Sequence, residues 1–189
     1  TSSAGFAAAH VLLIGVVALL PVETWRHTRQ YDGIVMTVMP QEVLERLRPF
    51  ERDYHFAADG YSPAVTMSYN ARRYFSVFGP GSSHARHDDI LTDFRPLDAQ
   101  NILVLRKSAP DVAEQYAPYF REVEVREIDV RGAKFWIVLG RVFNYAAYRD
   151  GVLEPIRKHW YAIPAWLPMT QCYFCERYFP GRACRAGGA

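Results

Sequence analysis

The sequence contains little cysteine and little net charge, and each shortage excludes a class of protein. Three cysteines in 189 residues are too few for a disulfide scaffold. A formal net charge of +2 does not demand a nucleic-acid or anionic-membrane partner, and we expect no nucleic acid among the partners. Half of the residues are hydrophobic and 14% are aromatic, which argues against wholesale disorder. The length suits one domain with appendages.

A long uncharged stretch opens the chain. Residues 4–22 carry no formal charge and one histidine, and 19 residues at about 1.5 Å each nearly cross a hydrocarbon core of about 30 Å. No basic residues precede the stretch, as they would in a signal peptide. Trp25, Arg26 and Arg29 follow it like an interfacial belt. Residues 1–24 are therefore predicted to form a transmembrane helix, with a buried helix of a soluble domain as the alternative.

A strand–helix–strand unit is predicted over residues 56–79, in the middle of the chain. Residues 56–58 indicate a short buried strand, and Asp59 and Gly60 are typical of a tight turn. Ser62 is suited to cap a helix that ends at Tyr74. Residues 75–78 alternate like a second strand. Because parallel strands need a crossover connection, the unit indicates a parallel, helix-covered sheet.

The remaining pattern extends this α/β domain over residues 25–150. The elements that it predicts are a strand at 34–38, a helix at 41–54, a polar loop at 80–100, a strand at 101–106, a helix at 109–119 and a hairpin of 122–130 with 134–142. The expected fold is a small three-layer α/β domain with a mostly parallel sheet, helices on its faces and an antiparallel hairpin at one edge. Residues 151–189 form an aromatic tail that contains proline and cysteine.

Four residues near the predicted turn are candidate substrate-binding residues. Asp59 and Tyr61 lie in a βα turn, and ligands of open α/β sheets bind beyond the carboxyl ends of strands. The turn has one glycine rather than a G-x-G-x-x-G set, so a dinucleotide is not expected and a plain structural turn is the alternative. Arg72 and Arg73 are candidates for a lipid phosphate, since guanidinium binds phosphate in a bidentate manner. A solvated helix face is the alternative for these two arginines.

The cysteines of the tail leave two interpretations open. Cys172, Cys175 and Cys184 with His159 would supply the four ligands of a zinc site. Free or disulfide-bonded cysteines are the favoured interpretation, and a disulfide fits an oxidising compartment. We therefore expect no metal and no cofactor.

A second histidine and carboxylate cluster lies in the predicted polar loop. His84, His87, Asp88 and Asp89 are ligand types that suit a divalent metal. No second anchoring cluster accompanies them, so a solvated loop is the favoured interpretation.

Several short motifs, in this order, resemble one family. They are Asp59-Gly60-Tyr61-Ser62, residues 101–105, residues 135–143, and the closing pieces 163–168, 172–174 and 177–180. Together they are similar to the C-terminal soluble domain of bacterial family-39 glycosyltransferases, the protein-mannosyltransferase-like membrane enzymes. The resemblance covers about residues 50–180, and none of the motifs is diagnostic alone.

The resemblance implies a larger membrane enzyme that takes sugar from a polyprenyl-phosphate donor. Its catalytic acidic residues would lie in the missing membrane part, so this chain has no predicted catalytic residue and is expected to be inactive alone. Residues 1–24 would be the last membrane helix, in the bacterial inner membrane, and the soluble part would be periplasmic. The expected partners are the N-terminal membrane domain, the bilayer, and a lipid-linked sugar or acceptor. A stand-alone, membrane-anchored α/β ligand-binding module is the alternative.

Overall fold

The structure, a computed structural model, describes residues 2–80, 87–164, 166–168 and 171–181. The helices are α1 Ser2–Leu19, α2 Tyr31–Val38, α3 Pro40–Leu47, α4 Tyr61–Ala71, α5 His87–Leu91, α6 Val112–Gln115, α7 Tyr145–Tyr148, α8 Glu154–Trp160 and α9 Tyr173–Tyr178. The strands are β1 His55–Ala58, β2 Ser76–Val77, β3 Ile102–Arg106, β4 Phe120–Val130 and β5 Ala133–Phe143.

The five strands form one sheet with the order β2-β1-β3-β5-β4. β1 pairs in parallel with both β2 and β3. β5 pairs antiparallel with β3 and with β4, so the predicted hairpin is present and lies at one edge. The α/β class is confirmed, but the sheet is mixed rather than mostly parallel, because the long hairpin adds two antiparallel pairings. The three-layer arrangement stays a prediction.

The predicted strand–helix–strand unit is present as β1, α4 and β2. The start of α4 differs from the prediction, because Gly60 rather than Ser62 is the N-cap residue and no side chain caps the helix. Gly60 is extended there, with φ −161°. At its other end α4 ends at Ala71 rather than at the predicted Tyr74, because Arg72 adopts the left-handed conformation with φ 50°.

Two predictions before β1 were wrong. The stretch 34–38 lies in α2 rather than in a strand, and α2 buries Tyr31, Val35 and Met36. Tyr31 and Val35 are four residues apart, a spacing that places both side chains on one face of a helix. The helix predicted over 41–54 ends at Leu47 and continues as a 3₁₀ turn. Pro49 explains this end, because it lacks the backbone N–H that would donate to the carbonyl of Glu45 and continue the α-helical hydrogen bonds.

Two predictions after β2 also need correction. The polar loop 80–100 contains α5 and a 3₁₀ turn at Arg95–Leu97. The helix predicted over 109–119 is divided into α6 and a 3₁₀ turn at Ala117–Tyr119. Asp111 caps α6 by accepting a hydrogen bond of 3.2 Å from the Glu114 amide, because an aspartate side chain at the N-cap satisfies an otherwise free amide.

Apolar side chains pack against both faces of the sheet, because successive residues of a strand point to opposite faces. Phe56 and Ala58 of β1 belong to a first cluster, which includes residues of α2, α3 and α4. Ala57 belongs to a second cluster, which is rich in aromatic residues and includes Phe174 and Tyr178 of the tail. The tail thus covers one face of the sheet.

Helix α1 contrasts with this packed body. Its described side chains are exposed, from residue 5 to residue 16 and at Leu19. Within the described part of the chain, none of the helices combines the length and the apolar character that crossing a bilayer requires. The transmembrane helix stays a prediction.

Candidate functional site

The chain leaves β1 and β3 toward opposite faces of the sheet. After β1 it enters α4, where Ala64 and Met67 belong to the first cluster. After β3 it reaches Tyr116, which belongs to the second cluster. Neighbouring parallel strands whose connections diverge in this way open a crevice at their carboxyl ends, the usual ligand position in open α/β sheets. We call this crevice the carboxyl-edge cleft.

The carboxyl-edge cleft has a volume of about 490 Å³. Its lining combines ionisable, amide and aromatic side chains with small backbone positions, namely Asp59, Phe78, Gly79, Pro80, Arg106, Glu114, Gln115, Tyr116, Tyr119, Gly151, Val152 and Pro155. The volume lies within the range of about 300–1,000 Å³ that is typical of small-molecule sites.

An ion pair joins the two strands at the base of this cleft. Asp59 follows β1 directly, and Arg106 is the last residue of β3. The Nε of Arg106 lies 3.3 Å from Oδ2 of Asp59. The contact is electrostatic, because this buried Nε forms no hydrogen bond with a described residue. Asp59 accordingly keeps most of its capacity to accept hydrogen bonds.

Arg106 is held from the other side by the segment that follows β3. One terminal nitrogen of its guanidinium donates to Oε1 of Gln115 and, over 3.1 Å, to the hydroxyl of Tyr116. The other terminal nitrogen donates to Oγ of Ser108 over 3.4 Å. With 9% of its surface exposed, Arg106 is a fixed part of the cleft rather than a mobile surface cation.

Burial governs the ionisation of two groups in this cleft. It raises the pKa of the Asp59 carboxyl, and the nearby Arg106 only partly opposes this effect. Burial also raises the pKa of Tyr116, which the nearby Arg106 partly opposes. A half-buried carboxyl group with a raised pKa in a cleft is a frequent mark of a functional site.

Aromatic rings form one wall of the cleft. Phe78 follows β2 and stacks on Tyr116 with 5.7 Å between ring centroids. The amide of the next residue, Gly79, donates to the hydroxyl of Tyr148 over 2.8 Å, which fixes the backbone at the rim. The hydroxyl of Tyr119 approaches Gly151 so closely that a Cβ there would lie 2.7 Å from it. Gly151 thus leaves room for Tyr119.

Of the four residues predicted to bind substrate, the structure places Asp59 alone in the carboxyl-edge cleft. Tyr61 lines a separate groove of about 350 Å³ beside α4, together with Tyr69 and Tyr74. Arg72 is exposed at the end of α4. The structure therefore does not bring the four residues into one site.

Arg73 lies at the opposite end of β1 from the cleft. Its guanidinium donates to the backbone carbonyls of Glu51 and Tyr54 over 3.1 and 3.2 Å. It also lies 4.6 Å from the ring centroid of Phe56. These contacts tie the residues that precede β1 to the end of α4.

The two clusters of metal-ligand residue types lie partly outside the described residues, which exclude His84 and Cys184. Cys175 is disulfide-bonded, which removes its thiolate from the predicted zinc set, whereas Cys172 is a free thiol. His159 packs against Trp160. Among the described residues, no three histidine, cysteine or acidic side chains group as they would around a metal ion.

Asp88 and Asp89 are buried in α5 instead of lying in a solvated loop. The hydroxyl of Tyr161 donates to Oδ2 of Asp89 over 3.0 Å. Arg177 of α9 donates to the backbone carbonyl of Asp89, also over 3.0 Å. Asp89 therefore helps to hold the tail against the body.

Several residues of the cleft were not predicted from the sequence. Arg106 could have been predicted from the sequence. It is a charged residue at the end of an otherwise apolar buried strand, and such a residue lies at the carboxyl edge of the sheet. Gln115, Tyr119 and Gly151 could not, since they reach the cleft from segments whose positions depend on the tertiary fold.

In comparisons with known proteins, no family model, no curated protein and no solved structure matches this chain.

Proposed function

We propose that this chain is the C-terminal accessory domain of an integral-membrane glycosyltransferase that uses a polyprenyl-phosphate sugar donor. Its catalytic residues lie in a part of the enzyme outside this chain. The motif resemblance motivates this proposal, and its main structural support is the exposure of the apolar side chains of α1.

Helix α1 has apolar side chains on all sides and little contact with the α/β body. Its large exposed hydrophobic residues are Phe6, Val11, Leu12, Leu13, Ile14, Val16 and Leu19. Burying one such side chain is worth about 1.5–3 kcal/mol, and a helix that is apolar all round belongs in apolar surroundings. In the proposal, lipid and the helices of the missing membrane domain supply those surroundings.

The carboxyl-edge cleft and the end of α1 lie at the same end of the sheet. Arg106 at the end of β3 is paired with Trp136, near the start of β5. The β4–β5 turn is therefore also at this end, and there Arg131 forms an ion pair of 2.9 Å with Glu23. Glu23 follows α1 by four residues. In the proposal, the cleft thus faces the membrane domain, where a lipid-linked substrate would be held.

The membrane part of the proposal is tested by fractionation. The whole chain should remain in membranes washed with alkaline carbonate, whereas a variant that lacks residues 1–20 should be released. The matched control replaces Tyr61, Val65 and Tyr69 with serine, since these exposed residues belong to α4 rather than to α1. Release of the whole chain by the wash would contradict the proposal.

The enzymatic part is tested by comparing the chain with the protein encoded by its complete reading frame. The longer protein should transfer sugar from a polyprenyl-phosphate donor, and the chain alone should not. Sugar transfer by the chain alone would overturn the assignment of catalysis to the missing part.

The cleft favours a second candidate, a stand-alone membrane-anchored ligand-binding module. Asp59 and Arg106 meet in a cleft of ligand size at the position where α/β sheets bind ligands. The complete reading frame separates the candidates, because the glycosyltransferase requires many hydrophobic segments before this chain and the module requires none.

A further inference from the structure

We propose that the carboxyl-edge cleft is a binding site for an uncharged saccharide, with Asp59 accepting hydrogen bonds from its hydroxyl groups. The choice of a saccharide rests in part on the proposed function, since the sugar would be the acceptor or donor sugar of the transferase. The cleft chemistry supports this choice through four properties: its volume, its charge balance, its free acceptor capacity and its aromatic wall.

The volume suits a small polar ligand. A cleft of about 490 Å³ accommodates a ligand of one or two sugar rings. The lining contains carboxylate, amide, guanidinium and phenol groups, so both donors and acceptors are present. A ligand with many hydroxyl groups matches such a mixture, because each hydroxyl is at once a donor and an acceptor.

The charge balance argues against an anionic ligand. The charge of Arg106 is compensated by Asp59, 3.3 Å away, and Glu114 adds a further negative charge to the lining. The terminal nitrogens of Arg106 already donate to Gln115, Tyr116 and Ser108. The remaining donor of Arg106, Nε, is buried against Asp59. The guanidinium therefore offers few donors to a phosphate, which favours multiple donors and net positive charge.

Asp59 supplies an acceptor with unused hydrogen-bonding capacity. Its side chain is 26% exposed, toward the cleft. Among the described residues, this carboxylate forms the ion pair with Arg106 and accepts a backbone hydrogen bond. A carboxylate can accept about four hydrogen bonds, so capacity remains. A partly buried carboxylate that accepts few hydrogen bonds is costly. A ligand hydroxyl would donate to it and reduce that cost.

The aromatic wall supplies a surface for the apolar face of a sugar ring. Phe78 and Tyr119 line the cleft with ring centroids 6.5 Å apart, and Pro80 and Pro155 line it as well. Sugar rings carry C–H groups on one face, and these groups pack against aromatic and proline rings. Aromatic rings also offer a large apolar contact surface in a fixed orientation.

The test titrates the whole chain with the α-methyl glycosides of mannose, glucose and galactose, followed by saturation-transfer NMR. The chain is kept in an amine-oxide detergent, because maltoside headgroups would compete as sugars. At least one glycoside should bind saturably, and Asp59→Ala should weaken its binding about tenfold or more, as expected for the loss of a hydrogen bond to a charged group. Asp53→Ala is the matched control, since Asp53 lies just before β1 and is exposed.

The alternative outcomes overturn the inference. Absence of saturable binding for all three glycosides would do so, as would equal affinities in Asp59→Ala and Asp53→Ala chains. Inorganic phosphate is the second probe, and phosphate binding that requires Asp59 or Arg106 without glycoside binding would assign the cleft to anions. A thermal unfolding curve for each variant separates lost binding from lost folding. None of these results bears on carbonate extraction or on sugar transfer, so failure here is distinguishable from failure of the proposed function.

Discussion

Strand β1 has a polar pocket at each end, and the polar groups of the two pockets differ in how they are hydrogen-bonded. At its start, a pocket of about 390 Å³ is lined by Tyr54, His55, Arg73 and Asn101 among others; we call it the amino-edge pocket. At its end lies the carboxyl-edge cleft of about 490 Å³. The pockets are similar in size and both contain an arginine, so size and charge alone do not tell which one binds a ligand.

Hydrogen bonding distinguishes the two pockets. In the amino-edge pocket, Asn101 donates to the carbonyl of Asp53 and accepts from the amide of Val142, both over 3.2 Å. His55 and Ser76 share a hydrogen bond of 3.1 Å. These groups satisfy one another and hold the chain together, whereas Asp59 in the carboxyl-edge cleft keeps acceptor capacity for a ligand. Changes in the first pocket should reduce stability, and changes at the rim of the second should reduce binding.

Replacing Arg106 should have the largest effect on stability. Arg106→Met removes one partner of a buried ion pair together with the bonds to Gln115 and Tyr116, and the free energy of unfolding should fall by about 3 kcal/mol. Chemical denaturation followed by tryptophan fluorescence measures it. Arg121→Met, an exposed change on β4, is the control. Asp59→Asn combined with Arg106→Met should recover part of the loss, and a strictly additive double mutant would contradict the ion pair.

Arg73→Ala should have the next largest effect on stability, with glycoside affinity unchanged. It removes two hydrogen bonds to backbone carbonyls and the contact with Phe56, a loss of about 1–2 kcal/mol for a partly solvated arginine. The adjacent and exposed Arg72→Ala is the control, and it should change stability by less than about 0.5 kcal/mol. Equal losses for the two variants would remove the structural role given to Arg73.

Gly151→Ala should weaken glycoside binding and leave stability nearly unchanged. The added Cβ would displace Tyr119, whose hydroxyl would lie 2.7 Å away, and we expect about threefold weaker binding. The gain in helix propensity, about 0.5–1 kcal/mol, offsets the crowding in the free energy of unfolding. Gly33→Ala in α2 is the control, since its Cβ would meet only the Lys107 ammonium at 3.6 Å. Undiminished binding by Gly151→Ala would exclude Tyr119 from the site.

The smallest predicted effect is a pH dependence at the amino edge. Burial, assisted by the Arg73 charge, lowers the pKa of His55 below its ordinary value near 6.5. The folded state therefore favours neutral His55, and its contribution to stability is present above that value and is lost as the pH falls toward the lowered pKa.

Thermal unfolding between about pH 7 and about pH 5 measures this dependence. His55→Gln should lose less stability on acidification than the wild-type chain, and exposed His27→Gln should lose as much as the wild-type chain. A steeper loss in His55→Gln would contradict the assignment.

The sequence predicts those parts of the fold in which local signals suffice. Buried strand β3, the β4–β5 hairpin and the β1–α4–β2 unit all follow from apolar runs and turn residues. The stretch 34–38 was misassigned, because so short a run is compatible with a strand or a helix until the sheet supplies a surface for Val35 and Met36. The division of the helix after β3 depends on Pro118 and on the Asp111 cap.

The candidate site was less predictable than the fold, because most of its residues come together only through tertiary contacts. Asp59 was found because the turn after a strand is a local feature. Its partner Arg106 lies 47 residues away in sequence and becomes its neighbour only through the parallel pairing of β1 with β3. Arg72 and Arg73 were grouped by adjacency, yet the left-handed turn at Arg72 and the backbone contacts of Arg73 give them separate surroundings.

Backbone amide chemical shifts of the wild-type chain, followed during titration with the three glycosides, show directly which end of β1 binds a ligand. We expect saturable shifts at the cleft positions Asp59, Gly79 and Gly151, while Gln100 and Asn101 of the amino-edge pocket stay unchanged. Shifts confined to Gln100 and Asn101 would contradict this expectation and would move the binding site to the opposite end of β1.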